Sequence, residues 1–562
     1  MTKKLLSLVL ALAMALSLAA CVKTEDLNKD NDTSKTPGEK QTLLIGLPMS
    51  PNCTDINDNY MTHYLEEKLN LDIEFMEFSS NNTERAQQLA TMVAANEELP
   101  DILINWVNLD KTLVHTYGKD GYFVDLAPYF DNPDWELAKE YGWFEQAQTR
   151  LGEDNYKRMM YANRTAEGNL YGWPSGGVSK SDAIMNHVYI NQAWLDKLGL
   201  EAPRTWDQLV EVCVAFRDQD PNGNGKADEI AMMGGANVSA VYAADIPSWL
   251  LNNFCFVSDN YFFNVDENGK LFVPYNTDEY REGLRAINKL YEEGLISPLT
   301  WTVGNRTEMP GMWTPASGEA IVGIMCGYAP QHTTEGSPLV LDYVPLEPLE
   351  GAYTPIRPAG VSNQTHITTD CVERGRLETA MRFLFELNEV DNQRVAKFGE
   401  EGVDWEPIEV DGRELVNKIN DVINNPNNKT WCWNTPCIGF ATGESPYEVY
   451  EPEVDFETLE GAERIQYWRN NMLDMMVEAN YPNTVNNPEL FFSVVYNEEE
   501  TEENGSMISD IKNYMKQQRG LFITGQLDID DDAAWKTYVD ALETQGLSIV
   551  LENAQAAWDR QK

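Results

Sequence analysis

The sequence is short of the residues on which much protein chemistry depends. Its five histidines (His63, His115, His187, His332 and His366) are scattered over 562 residues and none shows ligand spacing, which argues against a histidine-based zinc centre. Basic side chains number 42 against 90 carboxylates, a formal charge of −48. Nucleic acid needs basic grooves and stripes, so it is excluded as a partner, and a polybasic grip on anionic lipid is disfavoured with it. No G-x-S-x-G elbow, H-E-x-x-H pair or Walker A loop is present; Gly223-Asn224-Gly225-Lys226 lacks the Walker spacing. Nearby carboxylate pairs arise by chance in so acidic a chain, so they identify no glycosidase centre.

Long apolar runs are equally scarce. The one exception is Leu5 to Ala20, which follows Lys3 and Lys4 and is short for a bilayer span but right for the apolar part of a secretory signal. It ends Leu18-Ala19-Ala20-Cys21, which resembles the bacterial lipoprotein cleavage and lipidation box. That resemblance makes 1–20 a signal peptide and Cys21 the lipid-bearing amino terminus. Loss of the two lysines would take the mature charge to −50. Residues 21–41 hold almost nothing that could be buried and read as a flexible tether.

Cys53, Cys213, Cys255, Cys326, Cys371, Cys432 and Cys437 remain, an odd number, so at least one is unpaired within the chain. Cys213 stands at helical spacing with Leu209 and Phe216, a core position. Cys432 and Cys437 are close enough for a small loop disulfide, though the spacing alone does not establish one.

Hydrophobic residues make up 43% and charged residues 23%, the balance of a globular chain. Strand-like apolar runs, the first at Leu43-Leu44-Ile45, alternate with helical patterns, which is the mark of an α/β fold. The spacing predicts a helix opened by a Thr205/Gln208 capping box, with Trp206, Leu209, Cys213 and Phe216 on its apolar stripe. A strand end at Tyr189–Asn191 leads into a second helix stopped by Gly199. Glu498 to Glu503 reads as an exposed acidic loop.

Several stretches then resemble one family. They are Ala94-Ala95-Asn96-Glu97-Glu98-Leu99-Pro100-Asp101-Ile102, Gly168-Asn169-Leu170-Tyr171-Gly172-Trp173-Pro174, the segment Asn191 through Trp206, and Gly269-Lys270 with Tyr291-Glu292-Glu293-Gly294-Leu295-Ile296. Phe398 to Trp405 and Phe522-Ile523-Thr524-Gly525 extend the likeness. Together they resemble the family 1 extracellular solute-binding lipoproteins, in the long oligosaccharide-binding branch. The resemblance implies a two-lobed periplasmic-binding-protein-like (type II) fold with discontinuous lobes, a hinge and an interlobe ligand cleft. It places the first lobe at 42–168 and 350–400, and the second at 172–348 and 405–562 with a carboxyl-terminal helical extension. It implies capture of a neutral oligosaccharide and delivery to ABC permease subunits in the membrane, powered by a separate cytoplasmic ATPase. The expected state is a monomer, lipid-anchored at the extracellular face of the bacterial cytoplasmic membrane, with no enzyme activity. Two other classes remain open on the sequence: a peptide-binding lipoprotein and a secreted glycoside hydrolase.

The most specific local motif runs from Asp218 to Glu229. Read from Asp218 it meets the EF-hand template, with short oxygen-bearing side chains at alternate positions, a turn glycine and Glu229 at the twelfth place. A second register uses Asp220, Asn222, Asn224, the Lys226 carbonyl, Asp228 and Glu229. It resembles the calcium loop of family members that bind acidic polysaccharide fragments, and it is preferred here. Either register implies a structural Ca2+. For the sugar, indole faces stack on C–H surfaces while amides meet hydroxyls. Analogy with the family's cleft loops nominates Asn105, Trp106, Trp173, Trp313, Tyr328, Asn363, Trp431 and Trp433.

Overall fold

A computed structural model describes residues 40–48, 55–104, 111–177, 184–236, 243–258, 262–303, 306–356, 360–362, 365–420, 433, 448–450, 454–486 and 494–560. The chain forms two compact units. One combines the chain up to Gly177 with Val361–Glu451; the other combines Val178–Gly360 with Pro452–Lys562.

The strands follow chain order. β1 (Gln41–Pro48), β2 (Leu71–Phe78), β3 (Ile102–Leu103) and β4 (Ser175–Gly177) belong to the first passage through the first unit. The second unit holds β5 (Val188–Asn191), β6 (Ile230–Met233), the hairpin β7 (Asn264–Val265) and β8 (Leu271–Phe272), β9 (Val322–Cys326) and β10 (Tyr343–Pro345). The return brings β11 (Gly360–Ser362), β12 (His366–Ile367), β13 (Trp405–Val410), β14 (Arg413–Lys418) and β15 (Glu448–Val449). Beyond them the described chain is helical, and β4 pairs with β11 where the chain changes unit.

The first unit is built on a sheet of order β12-β3-β1-β2, with β2 and β3 parallel to β1 and β12 antiparallel to β3. β1 is a nearly continuous apolar run, as a parallel strand covered on both faces requires. Gly46 lets β3 come close: a Cβ there would stand 2.8 Å from Leu103 and Pro100. The covering helices Tyr60–Leu69 and Asn82–Ala95 are each opened by an asparagine cap and closed by a left-handed asparagine, Asn70 and Asn96.

Asp101 locks this sheet from within. It is fully buried, and its carboxylate accepts the Leu44 N–H of β1 at 2.7 Å and the guanidinium groups of Arg374 and Arg376 at 2.9 and 2.8 Å. Its backbone carbonyl accepts the Thr368 N–H, so one residue ties β1, β3 and the returning segment together.

The second unit carries a mixed sheet of order β10-β5-β9-β6, with β6 parallel to β9 and β5 antiparallel to both its neighbours. The capped helix is present as Trp206–Asp218: Thr205 and Gln208 form the reciprocal box, and Leu209, Cys213 and Phe216 are buried. Cys213, Cys255, Cys326 and Cys371 are free thiols, and burial pushes the first two up to about 12, which leaves them inert at neutral pH. Cys21, Cys53, Cys432 and Cys437 lie outside the described residues.

The structure corrects the sequence reading at several points. The stretch 405–451 belongs to the first unit, not the second. Trp405 packs with Phe398 and Val416 in a small core under β13 and β14, while Trp433 is buried near Phe75 and Phe383 and donates to Thr62 Oγ1 at 2.8 Å. Residues 350–360 belong to the second unit instead, where Ala352 enters the core and Ile356 bridges Ile184. Glu498–Asn504 is a helix with an Asn497/Glu500 capping box, its Glu500 buried against Arg560.

Three expected sugar platforms are core residues. Trp173 is 1% exposed, with Phe130 and Phe385 set edge-on at 5.1 and 4.9 Å. Trp313 is fully buried against Tyr189 and Tyr343, and Trp433 is fully buried as described. Each indole fills core volume, and close packing leaves next to none of its ring surface for a ligand.

Two stability predictions follow from these contacts. Trp173→Ala is expected to cost about 3–5 kcal/mol in a denaturant melt through transfer and cavity terms. A variant with unchanged stability would return Trp173 to the list of ligand contacts. Asp101→Asn keeps the side-chain shape but removes the buried charge that Arg374 and Arg376 share, and should cost about 3 kcal/mol; a melt matching the parent would remove Asp101 as the lock of the sheet.

Candidate functional site

In open α/β sheets, ligands bind beyond the carboxyl ends of parallel strands, where the order of connection reverses. In the first unit β1 is flanked by β2 and β3, so the reversal falls between β1 and β3. Asn105 and Trp106 follow β3 in the chain, and Asn363 precedes β12, which pairs antiparallel with β3. All three lie outside the described residues, as does Trp431. Their places in the chain are the ones at which the backbone leaves or enters that sheet edge.

The corresponding edge of the second unit is described in detail. It joins the carboxyl ends of β6 and β9 to the amino end of β5. Tyr328 stands two residues beyond β9 and is half-buried; of the described sugar-contact candidates it alone keeps exposed surface. Its N–H donates to His332 Nδ1 at 2.8 Å, and its ring lies 5.6 Å from that of the buried His187. The His187 N–H donates to the Ala243 carbonyl at 3.1 Å, and its own carbonyl accepts the Gly327 N–H at 2.8 Å.

Ala243 is strained. It is 2% exposed with φ +56°, a left-handed conformation that costs a residue with a Cβ about 1–2 kcal/mol. Its carbonyl takes a second donor, Cys326 Sγ, at 3.3 Å. Two residues on, the buried Asp245 accepts Ser248 Oγ at 2.6 Å and Arg519 Nη2 at 3.0 Å. Strain over-determined in this way is characteristic of binding sites. The sequence reading missed His187, Asp245 and Arg519. Only Asp245 carried a signal, as the cap before Ile246-Pro247; the contacts of the other two are long-range.

The oxygen-rich loop lies elsewhere in the second unit, ahead of β6. Asp218 is the last residue of its helix and pairs with Arg217, so the free loop starts at Asp220. Gly223 and Gly225 adopt φ +76° and +73°, and a Cβ on Gly223 would stand 2.6 Å from Lys197 Nζ. Lys197 donates to the Asp220 and Pro221 carbonyls at 3.2 and 2.7 Å. The amides of Asn222 and Asn224 donate to Asp228 at 3.2 and 3.1 Å, which holds its carboxyl below the usual range. Burial pushes the Glu229 carboxyl up, and the Asp220 and Asp228 carboxylates add to that. Asp220 Oδ1 and Glu229 Oε1 are buried oxygens without a hydrogen-bond partner. Two such oxygens among hard donors fit a divalent cation of the calcium type. Among the described residues no three histidine, cysteine or carboxylate side chains converge as a metal-ligand set, so amide and carbonyl oxygens would have to complete one.

Comparison with known proteins agrees with this architecture. The chain is 29% identical over 267 residues to the fructooligosaccharide ABC transporter substrate-binding protein FusA of Streptococcus pneumoniae serotype 4, covering 46% of this chain and 45% of that relative. It thus spans about half the length of that curated protein. Among solved structures, an HMO-binding, ABC-transporter-associated solute-binding protein from Bifidobacterium longum infantis superposes with TM-score 0.70 at 20% identity, covering 93% of this chain and 99% of that one. A FusA EF-hand mutant of S. pneumoniae in complex with fructo-nystose superposes with TM-score 0.61 at 20% identity, covering 92% and 99%. These likenesses place the chain in a two-domain α/β fold. The family model for bacterial extracellular solute-binding proteins matches residues 58–372, more than half of the sequence and segments of both units, and the chain belongs to that family.

Proposed function

We propose that this chain is the substrate-capture subunit of a carbohydrate importer of the ATP-binding-cassette class. It binds an oligosaccharide and passes it to permease subunits in the membrane, powered by a cytoplasmic ATPase on a separate chain. The family match over 58–372 carries the reading, since it spans segments of both units. FusA and the Bifidobacterium protein are named as substrate-binding proteins of ABC transporters, which supports binding without turnover. The lipid box at Cys21 supports anchoring at the outer face of the cytoplasmic membrane. No helix among the described residues is long and apolar enough to cross a bilayer.

The ligand is a neutral or mostly neutral oligosaccharide of about two to six units, because each stacked ring needs its own aromatic platform. Asn105, Trp106 and Asn363, which follow β3 or precede β12 in the chain, and Tyr328, which follows β9, are the residues that would contact it. Trp431 remains a candidate on sequence alone. A glycan-array screen of the purified protein tests the class directly. Binding of neutral oligosaccharides without product formation supports capture, whereas turnover, or binding only of peptides, charged glycans or monosaccharides, sinks it. Trp106→Ala should weaken binding roughly tenfold or more, by analogy with the stacking of bases on aromatic rings, and should leave the melting temperature unchanged.

A structural Ca2+ at Asp220, Asn222, Asn224, the Lys226 carbonyl, Asp228 and Glu229 completes the reading. The orphaned oxygens of Asp220 and Glu229 support it, and so does the relative described as an EF-hand mutant. When bound, the ion supplies charge neutralisation and a crosslink, with no part in chemistry. Chelation should remove about 2.7 kcal/mol of stability if the ion was present at a hundred times its dissociation constant. Sugar affinity should change much less. An unchanged melting curve, with no metal by elemental analysis, would defeat the assignment.

A further inference from the structure

The loop from Asp220 to Glu229 feeds directly into β6, and the turn Ser317-Gly318-Glu319 stands just ahead of β9. Those two strands are parallel neighbours, with Ile230 opposite Val322 and the Ile230 N–H donating to the Ile321 carbonyl at 2.7 Å. Their register carries Glu319 to the loop although it lies 95 positions from Asn224 in the chain. The Asn224 Nδ2 group donates to Asp228 at 3.1 and 3.3 Å and to Glu319 Oε2 at 3.5 Å. One neutral amide is thus shared by two carboxylates from separate segments. The turn itself is fixed by the Glu319 N–H, which donates to Ser317 Oγ at 3.3 Å. Lys197 approaches the loop at its opening carbonyls, not at these carboxylates.

We propose that Glu319 is a positioning residue for the cation, beyond the six loop ligands, and that it acts through Asn224. This rests on the calcium reading above. Glu319 orients the Asn224 amide and adds a further negative charge to those of Asp220, Asp228 and Glu229. The cation then joins the loop before β6 to the turn before β9 and braces the sheet as well as the loop. An outer-shell partner of a metal ligand is typically worth about 10–100-fold in metal affinity. In the metal-free protein this carboxylate makes, among the described residues, only the long contact to the Asn224 amide, so its removal should cost the empty state little.

The test uses the full chain stripped of metal, with Ca2+ as the probe and the variants Glu319→Gln and Glu319→Asp. Glu319→Gln keeps an acceptor for the Asn224 amide but removes the charge, and should weaken Ca2+ binding by about tenfold. Glu319→Asp keeps the charge but is shorter by one methylene, and should restore only part of it. The melting temperature of the Gln variant in chelator should stay close to that of the parent, while in Ca2+ it should fall below it. Equal Ca2+ affinity in parent and Gln variant would overturn the proposal. So would an equal drop in melting temperature with and without Ca2+, which marks an ordinary structural contact. A parent chain that binds no Ca2+ overturns the calcium reading itself, and this proposal with it.

Discussion

Each unit is assembled from chain segments far apart in sequence, and in each a buried aspartate from the early segment is held by arginine from the segment that returns. In the first unit Asp101 pairs with Arg374 and Arg376; in the second Asp245 pairs with Arg519. The early segment cannot satisfy either carboxylate through these bonds, and an unpaired charge in such a place would cost several kcal/mol. Each aspartate therefore makes its unit conditional on the return of the chain. A buried pair adds little net stability over an apolar substitute, so the gain is in specificity: the returning segment has one place to dock. The strand order around β1 and β3 depends on that docking, because β12 comes with the returning segment.

What could be read from the sequence was local. The helix Trp206–Asp218 announced itself because its cap, stripe and end lie within fourteen residues. The two-domain α/β class followed from alternating patterns and a motif series, and the structural relatives agree with it. Long-range contacts were illegible. Nothing near Trp433 shows that it packs by Phe75 and Phe383, so 405–451 was placed in the wrong unit. The acidic run at Glu498 was read as a loop because its cap is Asn497 and its ionic partner is Arg560, sixty positions away. Trp173 sits in a family motif at the edge of a unit, yet composition could not tell a platform from a core indole. The phenylalanines that enclose it, Phe130 and Phe385, come from both passages of the chain.

The sheet edge of the second unit shows how strain and fixation are combined. A left-handed alanine would relax if its neighbours allowed it. Here its carbonyl is held by the backbone of His187 and the thiol of Cys326, and Asp245 two residues later is fixed by Ser248 and Arg519. The backbone beside Tyr328 is thereby set by the fold itself, and were that edge a binding site, its preorganisation would lessen the entropy lost on binding. The conformational cost was met when the unit folded.

The acidity of the chain bears on ligand class through its arginines. A uronate or sulfate is best recognised by a guanidinium in a two-pronged contact. Arg164 is engaged by Asp131, Arg281 by Asp532, Arg382 by Glu140, Arg394 by Glu414 and Arg560 by Glu500, in addition to the three that hold the buried aspartates. These eight guanidinium groups hold segments of this chain together, and an anionic glycan that used them would have to displace those partners. Uncharged hydroxyls meet no such opposition. Their binding depends on short-range stacking and amide hydrogen bonds, which the charge of the surrounding surface hardly alters at physiological ionic strength, where fields fade within about 8 Å. A strongly acidic surface and a neutral sugar are therefore compatible, while an acidic surface and an acidic sugar would require a local basic cluster.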